Sequence, residues 1–199
     1  MSVAAILLAA GRSTRMGANK LLEQLNGKPL VRHVADAALA SKAHPVIVVT
    51  GHQNERVEAA LEGLDLAFVY NPDFADGLST SLKAGVAVLP AEVTAVIVLL
   101  GDMPLVTSEA MDAVIMAFAA SPEKMAAVPV HKGEWGNPVL LSRSVFGEVA
   151  TLQGDAGARK LLQGRVGDVL EVPVASDAVL IDLDTPEALA KARMQAIEV

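Results

Sequence analysis

The stretch Val3-Ala4-Ala5-Ile6-Leu7-Leu8-Ala9-Ala10-Gly11-Arg12-Ser13-Thr14-Arg15-Met16-Gly17-Ala18-Asn19-Lys20 decides the fold. Val3–Leu8 is continuously apolar, the pattern of a strand buried on both faces of a parallel sheet. Three small residues follow, Ala9, Ala10 and Gly11, and then a loop that carries Arg12, Arg15 and Lys20. In open α/β sheets the ligand lies beyond the carboxyl ends of the strands, where strand order reverses, so this loop is the first place to look for a site. Small residues let a ligand approach the backbone, and successive N–H groups in such a loop can form a nest for an anion. With three added positive charges, this is the chemistry a triphosphate needs. The spacing is not that of a Walker A loop, because five residues separate Gly11 from Gly17 and Lys20 comes three later. It is not a G-x-G-x-x-G dinucleotide fingerprint either.

Working outward, the same short apolar runs recur. Val46–Thr50, Ala67–Tyr70, Ala95–Leu100, Met125–Val130, Pro138–Leu141, Val169–Val174 and Val179–Asp182 also read as strands. Helical patterns lie between them: Pro29–Ser41, Asn54–Leu61, Ser79–Val88, Ser108–Ala120, a short Ala156–Gln163 and a final Pro186–Ile197. Thr107 and Thr185 are good caps for two of these helices, and Pro29 and Pro186 suit first-turn positions. Alternating strands and helices predict a mostly parallel sheet with helices on both faces, in a single domain spanning 1–199. Residues 131–165 are richer in Gly and less periodic, and are expected to form an acceptor-binding subregion or lid.

Composition narrows the partners. The 199 residues are 52% hydrophobic and only 3% aromatic, with no Cys and a net charge of −7. Without Cys there is no disulfide framework, thiolate metal site or cysteine nucleophile. Few aromatics argue against stacking on single-stranded nucleic acid, and the acidic balance argues against duplexes. No apolar run approaches the length of a membrane span, and the N-terminus lacks a basic signal region, so a cytoplasmic protein is expected. The charge is uneven, however: residues 1–33 hold Arg12, Arg15, Lys20, Lys28 and Arg32 against Glu23 alone. A cationic segment on an acidic body is a site-like asymmetry.

Leu8-Ala9-Ala10-Gly11-Arg12-Ser13-Thr14-Arg15-Met16-Gly17 with Lys20 resembles the L-A-A-G-x-S-x-R-M-G-x-x-K signature of MobA-like nucleotidyltransferases. The two-alanine variant is typical of molybdenum cofactor cytidylyltransferases. The resemblance extends over nearly the whole chain and implies a Rossmann-like three-layer nucleotidyltransferase fold of the α/β class. In Gly101-Asp102-Met103-Pro104, after the strand Ala95–Leu100, it implies a carboxylate that holds Mg²⁺. By itself this tetrapeptide is also good turn chemistry. Ile181-Asp182-Leu183-Asp184-Thr185-Pro186-Glu187 is similar to the family's D-I-D-T-P-E-D. Either Asp182 or Asp184 then completes the metal site, and Asp184 is favoured because it lies nearer the strand's carboxyl end. Mg²⁺ needs only one or two carboxylates, since phosphates and waters supply its other ligands.

Asn71-Pro72-Asp73-Phe74-Ala75-Asp76-Gly77-Leu78-Ser79-Thr80-Ser81 is similar to a family segment that lines the nucleotide pocket. Ser79 and Ser81 offer hydroxyls at a helix N-terminus. Nucleotide contacts are expected from Leu8, Ala9, Ala10, Gly11, Arg12, Ser13, Lys20, Ser79, Ser81 and Gly101, with the base read by backbone and small aliphatic groups. Gly136-Asn137-Pro138 and Gly154-Asp155-Ala156-Gly157-Ala158-Arg159 fall where the family binds its acceptor, which marks Asn137, Asp155 and Arg159. Asn137 stands where relatives usually carry His, so the acceptor's identity stays open. Trp135 either packs under this loop or flanks an aromatic acceptor.

The resemblance thus implies an enzyme that transfers CMP from CTP to the phosphate of molybdopterin or molybdenum cofactor, with Arg15, Lys20 and Asp102 as catalytic residues. Molybdenum hydroxylase apoenzymes are candidate partners; nucleic acid and membrane are not. The alternatives are a relative using another nucleotide, such as GTP, or another phosphorylated small acceptor, and a non-catalytic carrier of the cofactor.

Overall fold

In chain order, the computed structural model, which describes residues 1–12 and 19–195, contains β1 (Val3–Ala9), β2 (Gln24–Leu25), β3 (Lys28–Pro29), α1 (Leu30–Ala40), β4 (Val46–Thr50), α2 (Asn54–Ala60) and β5 (Ala67–Tyr70). It continues with α3 (Leu78–Ala87), β6 (Ala95–Leu100), α4 (Ser108–Ala119), β7 (Ala126–His131), β8 (Glu134–Trp135), β9 (Val139–Ser142), α5 (Phe146–Val149), β10 (Val169–Pro173) and α6 (Pro186–Gln195). The main sheet runs β10-β7-β9-β6-β1-β4-β5, with β8 on the edge of β7. β1 is parallel to both β4 and β6, β4 to β5, and β7 to β10; β9 runs antiparallel between β6 and β7.

Alternation along β1 explains the three layers. Ala5, Leu7 and Ala9 point to the face covered by α1, α2 and α4, where Val34, Leu61, Met111 and Phe118 pack. Ala4, Ile6 and Leu8 point to the other face, against Leu82 of α3, Val149 of α5 and Leu162. All seven β1 residues are buried, which is why the strand reads as continuously apolar rather than alternating. A third, smaller cluster joins α6 to the β2–β3 hairpin through Leu25, Leu30, Leu183, Leu189 and Ala192.

The expected caps are in place. Thr107 Oγ1 accepts from the Ala110 N–H at 3.3 Å and Thr185 Oγ1 from the Ala188 N–H at 3.2 Å. Pro29 precedes α1 rather than opening it, because it closes the β2–β3 hairpin. Two segments differ from expectation. Val179–Asp182 is not a strand: Asp177–Leu180 forms a 3₁₀ turn, and the chain then runs extended without joining the sheet. Val179 is buried all the same, packed on Gly136, and its carbonyl accepts from the Asn137 N–H at 2.8 Å; Leu180 and Ile181 are half-buried. The helix expected over Ala156–Gln163 is a 3₁₀ turn over Ala158–Leu162, and no side chain caps it. The hairpin β2–β3, β8 and α5 are too short for any periodicity to announce them. Among the described residues, no helix is long and apolar enough to cross a membrane.

Candidate active site

Strand order reverses around β1, since β4 and β5 lie on one side of it and β6 on the other. The carboxyl ends of β1 and β6 are tied by the Gly101 N–H donating to the Leu8 carbonyl at 3.1 Å. A cleft of about 290 Å³ opens there, with Leu8, Ala10, Gly11, Gly101 and Ser81 among its walls. A side chain at Gly101 would crowd this seam: a Cβ there would stand 3.1 Å from Leu21 and 3.2 Å from the Leu8 carbonyl.

The charges gather at one end of this cleft. Asn19 caps the 3₁₀ turn Lys20–Leu22, its Oδ1 accepting from the Leu21 N–H. That turn aims Lys20 across the cleft mouth, where its Nζ lies 2.5 Å from Asp102 Oδ2 and also pairs with Asp184. A backbone rung aligns the two carboxylates: the Leu183 N–H donates to the Asp102 carbonyl at 2.9 Å. Leu183 is buried, so the residues on either side of it are turned away from that small core.

Burial is the largest influence on Asp102 and pushes its carboxyl above the usual range. Lys20 pulls it back, and the neighbouring Asp184 adds to the rise. For Lys20, burial alone would lower the ammonium's pKa, but Asp102 and Asp184 together outweigh it and hold it above the ordinary value.

The family resemblance implies a divalent cation, and the residues fit one. Asp102 Oδ1 is buried and has no hydrogen-bond partner among the described residues, a costly state for a carboxylate oxygen unless a ligand completes it. The Lys20 ammonium already stands between Asp102 and Asp184 as a cationic stand-in. A cleft-lining carboxylate, Asp102, with Asp184 on the other side of the same ammonium, suits a hard cation that draws its remaining ligands from phosphate and water. Asp182 is placed elsewhere, in a second cleft.

That second cleft is lined by Met103, Glu134, Trp135, Asn137, Arg159 and Asp182, among others, and holds about 420 Å³. Asn137 and Arg159 thus come together as expected. Trp135 forms part of the wall, its indole N–H donating to Glu171 at 2.6 Å. Asp155 does not join them: it lines the first cleft instead, because Gly154 closes against Gly77 and its carbonyl accepts from the Ser79 N–H at 3.0 Å.

Other expected nucleotide contacts divide. Ser81 and Arg12 line the first cleft. Ala9 is buried in the core beneath it, and Ser79 is buried with no hydrogen-bond partner for its Oγ among the described residues. Ser13 and Arg15 lie outside the described residues. Beside the small residues expected to read the base, the cleft also has an aromatic wall. Phe74 lines the cleft, and the Arg12 guanidinium sits 5.3 Å from its ring centroid, a cation–π distance. Phe74, one of four Phe in an aromatic-poor chain and close after Asn71-Pro72 in a pocket segment, is the signal available for it.

Residues 5–169 match the model of the MobA-like NTP transferase domain. The chain belongs to that family. The family's members are nucleotidyltransferase enzymes, and the mostly parallel, Rossmann-like three-layer architecture is theirs. Bifunctional protein GlmU of Francisella tularensis subsp. novicida is 36% identical over 118 residues, which is 56% of this chain and 24% of that protein. The chain therefore spans about a quarter of the length of the curated relatives it matches. Rv0371c from Mycobacterium tuberculosis H37Rv superposes with a TM-score of 0.82 at 28% identity, covering 98% of this chain and 99% of that one. Its complex with manganese superposes with a TM-score of 0.80 at the same identity, covering 98% and 99%. CMP:2-keto-3-deoxy-manno-octonic acid synthetase complexed with CTP shares the fold at a TM-score of 0.82 over 100% of both chains, with 18% identity.

Proposed function

We propose that the protein transfers CMP from CTP to a phosphate of molybdopterin or molybdenum cofactor and releases pyrophosphate. The observation that carries this is the convergence of Lys20, Asp102 and Asp184 at the end of β6, beside the small-residue loop of β1. An acceptor phosphate oxygen bonds to the α-phosphorus, the bond from the α-phosphorus to its bridging oxygen breaks, and pyrophosphate leaves with the electron pair. The nucleophile is already anionic, so no strong base is required, and the work is positioning and charge neutralisation. Asp102 and Asp184 would hold Mg²⁺, which when bound supplies charge neutralisation on phosphate oxygens. The manganese complex of Rv0371c supports a divalent cation in this family. Lys20 and Arg15 stabilise charge on the α-phosphoryl group and the departing pyrophosphate. Arg12 is a weaker contributor, since Phe74 engages its guanidinium.

The acceptor binds in the second cleft, where Arg159 meets its phosphate and Asn137 and Trp135 meet its body. Asn137 keeps hydrogen bonding but has no titratable group, and this favours a second reading in which another phosphorylated small molecule is the acceptor. Exchange of labelled pyrophosphate into CTP, with and without purified molybdopterin, tests the proposal. Cofactor-dependent exchange is expected. Exchange that appears only with a different acceptor selects the second reading, and no exchange with any nucleotide defeats both, leaving the carrier role.

A further inference from the structure

Asn71 directly follows β5, is 3% exposed, and has no part in the chemistry above. Its amide orientation is fixed by a backbone group. Oδ1 accepts from the Asp73 N–H at 3.0 Å, and a backbone N–H can only donate, so the oxygen end is identified. Nδ2 then donates to Thr80 Oγ1 at 2.8 Å and to Ser81 Oγ at 3.0 Å. Thr80 directs its own proton to the carbonyls of Asp73 and Gly77, each at 2.9 Å. Ser81 differs. Its residue is 3% exposed and lines the first cleft, and Asn71 is the one hydrogen-bond partner of its Oγ among the described residues. A hydroxyl that accepts from an amide keeps its proton for another group. Ser81 therefore presents a donor to the cleft.

We propose that Asn71 positions the Ser81 hydroxyl as a hydrogen-bond donor to the nucleobase, so that the first cleft takes a base with a ring-nitrogen acceptor, cytosine, over one with a ring N–H, uracil. This rests on the nucleotide reading of that cleft. The two bases have nearly the same shape, so only the polarity of the groups they meet can separate them. Facing uracil, the Ser81 hydroxyl either meets the ring N–H donor to donor or turns its proton away from the base, where it has no hydrogen-bond acceptor among the described residues. Asn71 is a positioning residue here, because it acts only through Ser81.

The polarity can be reversed. In Asn71→Asp, one carboxylate oxygen keeps the Asp73 N–H and the other accepts the Ser81 proton, which turns the hydroxyl's lone pairs toward the cleft. Calorimetric titration of the full chain with CTP and with UTP, each in Mg²⁺ buffer, gives a ratio of dissociation constants for each protein. That ratio is insensitive to a merely structural loss. The wild type should favour CTP by about tenfold, Ser81→Ala should bring the ratio to within about twofold of unity, and Asn71→Asp should move it toward UTP. Should Asn71→Asp fail to fold on thermal melting, the Ser81→Ala ratio decides alone. Equal binding of CTP and UTP by the wild type, or an unchanged ratio in a well-folded Ser81→Ala, overturns the proposal and leaves the nucleotide reading standing. Binding of neither nucleotide removes that reading and the proposal with it.

Discussion

The first cleft rests on β1 and β6, adjacent parallel strands buried along almost their whole length. The second is framed by a two-residue strand, a 3₁₀ turn and an extended segment outside the sheet. In the first, Lys20 pairs with both Asp102 and Asp184 at one point, while Arg12 and Asp155 also line the wall. The charged groups of the second, Glu134, Arg159 and Asp182, are spread around a wider opening. Aligning reacting phosphates needs groups held to a fraction of an ångström, and ends of buried strands supply that rigidity. Recognising the body of an acceptor tolerates irregular loops, which can change without disturbing the sheet.

The largest expected effect separates the chemistry of the first cleft from its stability. Asp102→Asn should lower divalent-metal-dependent turnover on the order of 1,000-fold, measured as kcat across a Mg²⁺ titration. In the folded protein the Asp102 carboxyl is raised by burial, so ionising it costs stability at neutral pH, and that cost is relieved as pH falls through the raised value. Without metal, the wild type should therefore gain in melting temperature as pH is lowered from 7 toward that value, a gain that Asp102→Asn should lack. An unchanged Mg²⁺ dependence would refute the metal assignment. Next, Lys20→Ala should cost on the order of 100-fold in kcat; near-normal turnover would sink its role in charge stabilisation.

Gly77→Ala probes the seam joining the two clefts. Gly77 has φ +108°, and a Cβ there would lie 2.2 Å from the Gly154 carbonyl carbon. Loss of about 2 kcal/mol is expected, read as a lower midpoint in urea; an unaltered midpoint would show that the 154–159 segment is not held there. The smallest effect belongs to the second cleft. Arg159→Ala should raise the acceptor's KM about tenfold while leaving that of the nucleotide alone. A change in the nucleotide's KM instead would merge the two clefts into one site.

This division also decided what could be read from sequence. β1, β4 and β6 are legible because strands buried on both faces leave continuous apolar runs, and Asp102 is legible as the carboxylate just past the end of one. The second cleft was not. Val179, Leu180 and Ile181 form an apolar run like any strand, yet Val179 is buried against Gly136 and hydrogen-bonded to Asn137 rather than paired in the sheet. The family resemblance puts Asp155 with Arg159 on the acceptor side, and the contact of Gly154 with Gly77 carries it to the other cleft. Phe74 escaped because low aromatic content describes a chain and not the walls of one pocket.

The rung from the Leu183 N–H to the Asp102 carbonyl bears on how such proteins are compared. It joins the tip of a strand inside the family-matching region, residues 5–169, to a segment that follows that region. One of the two candidate metal carboxylates, Asp184, thus sits outside the stretch by which kinship is recognised. Two chains could match equally well over the shared stretch and differ in whether the second carboxylate arrives at all. A main-chain bond holds that segment's register, and so the spacing of the two acids is independent of either side chain.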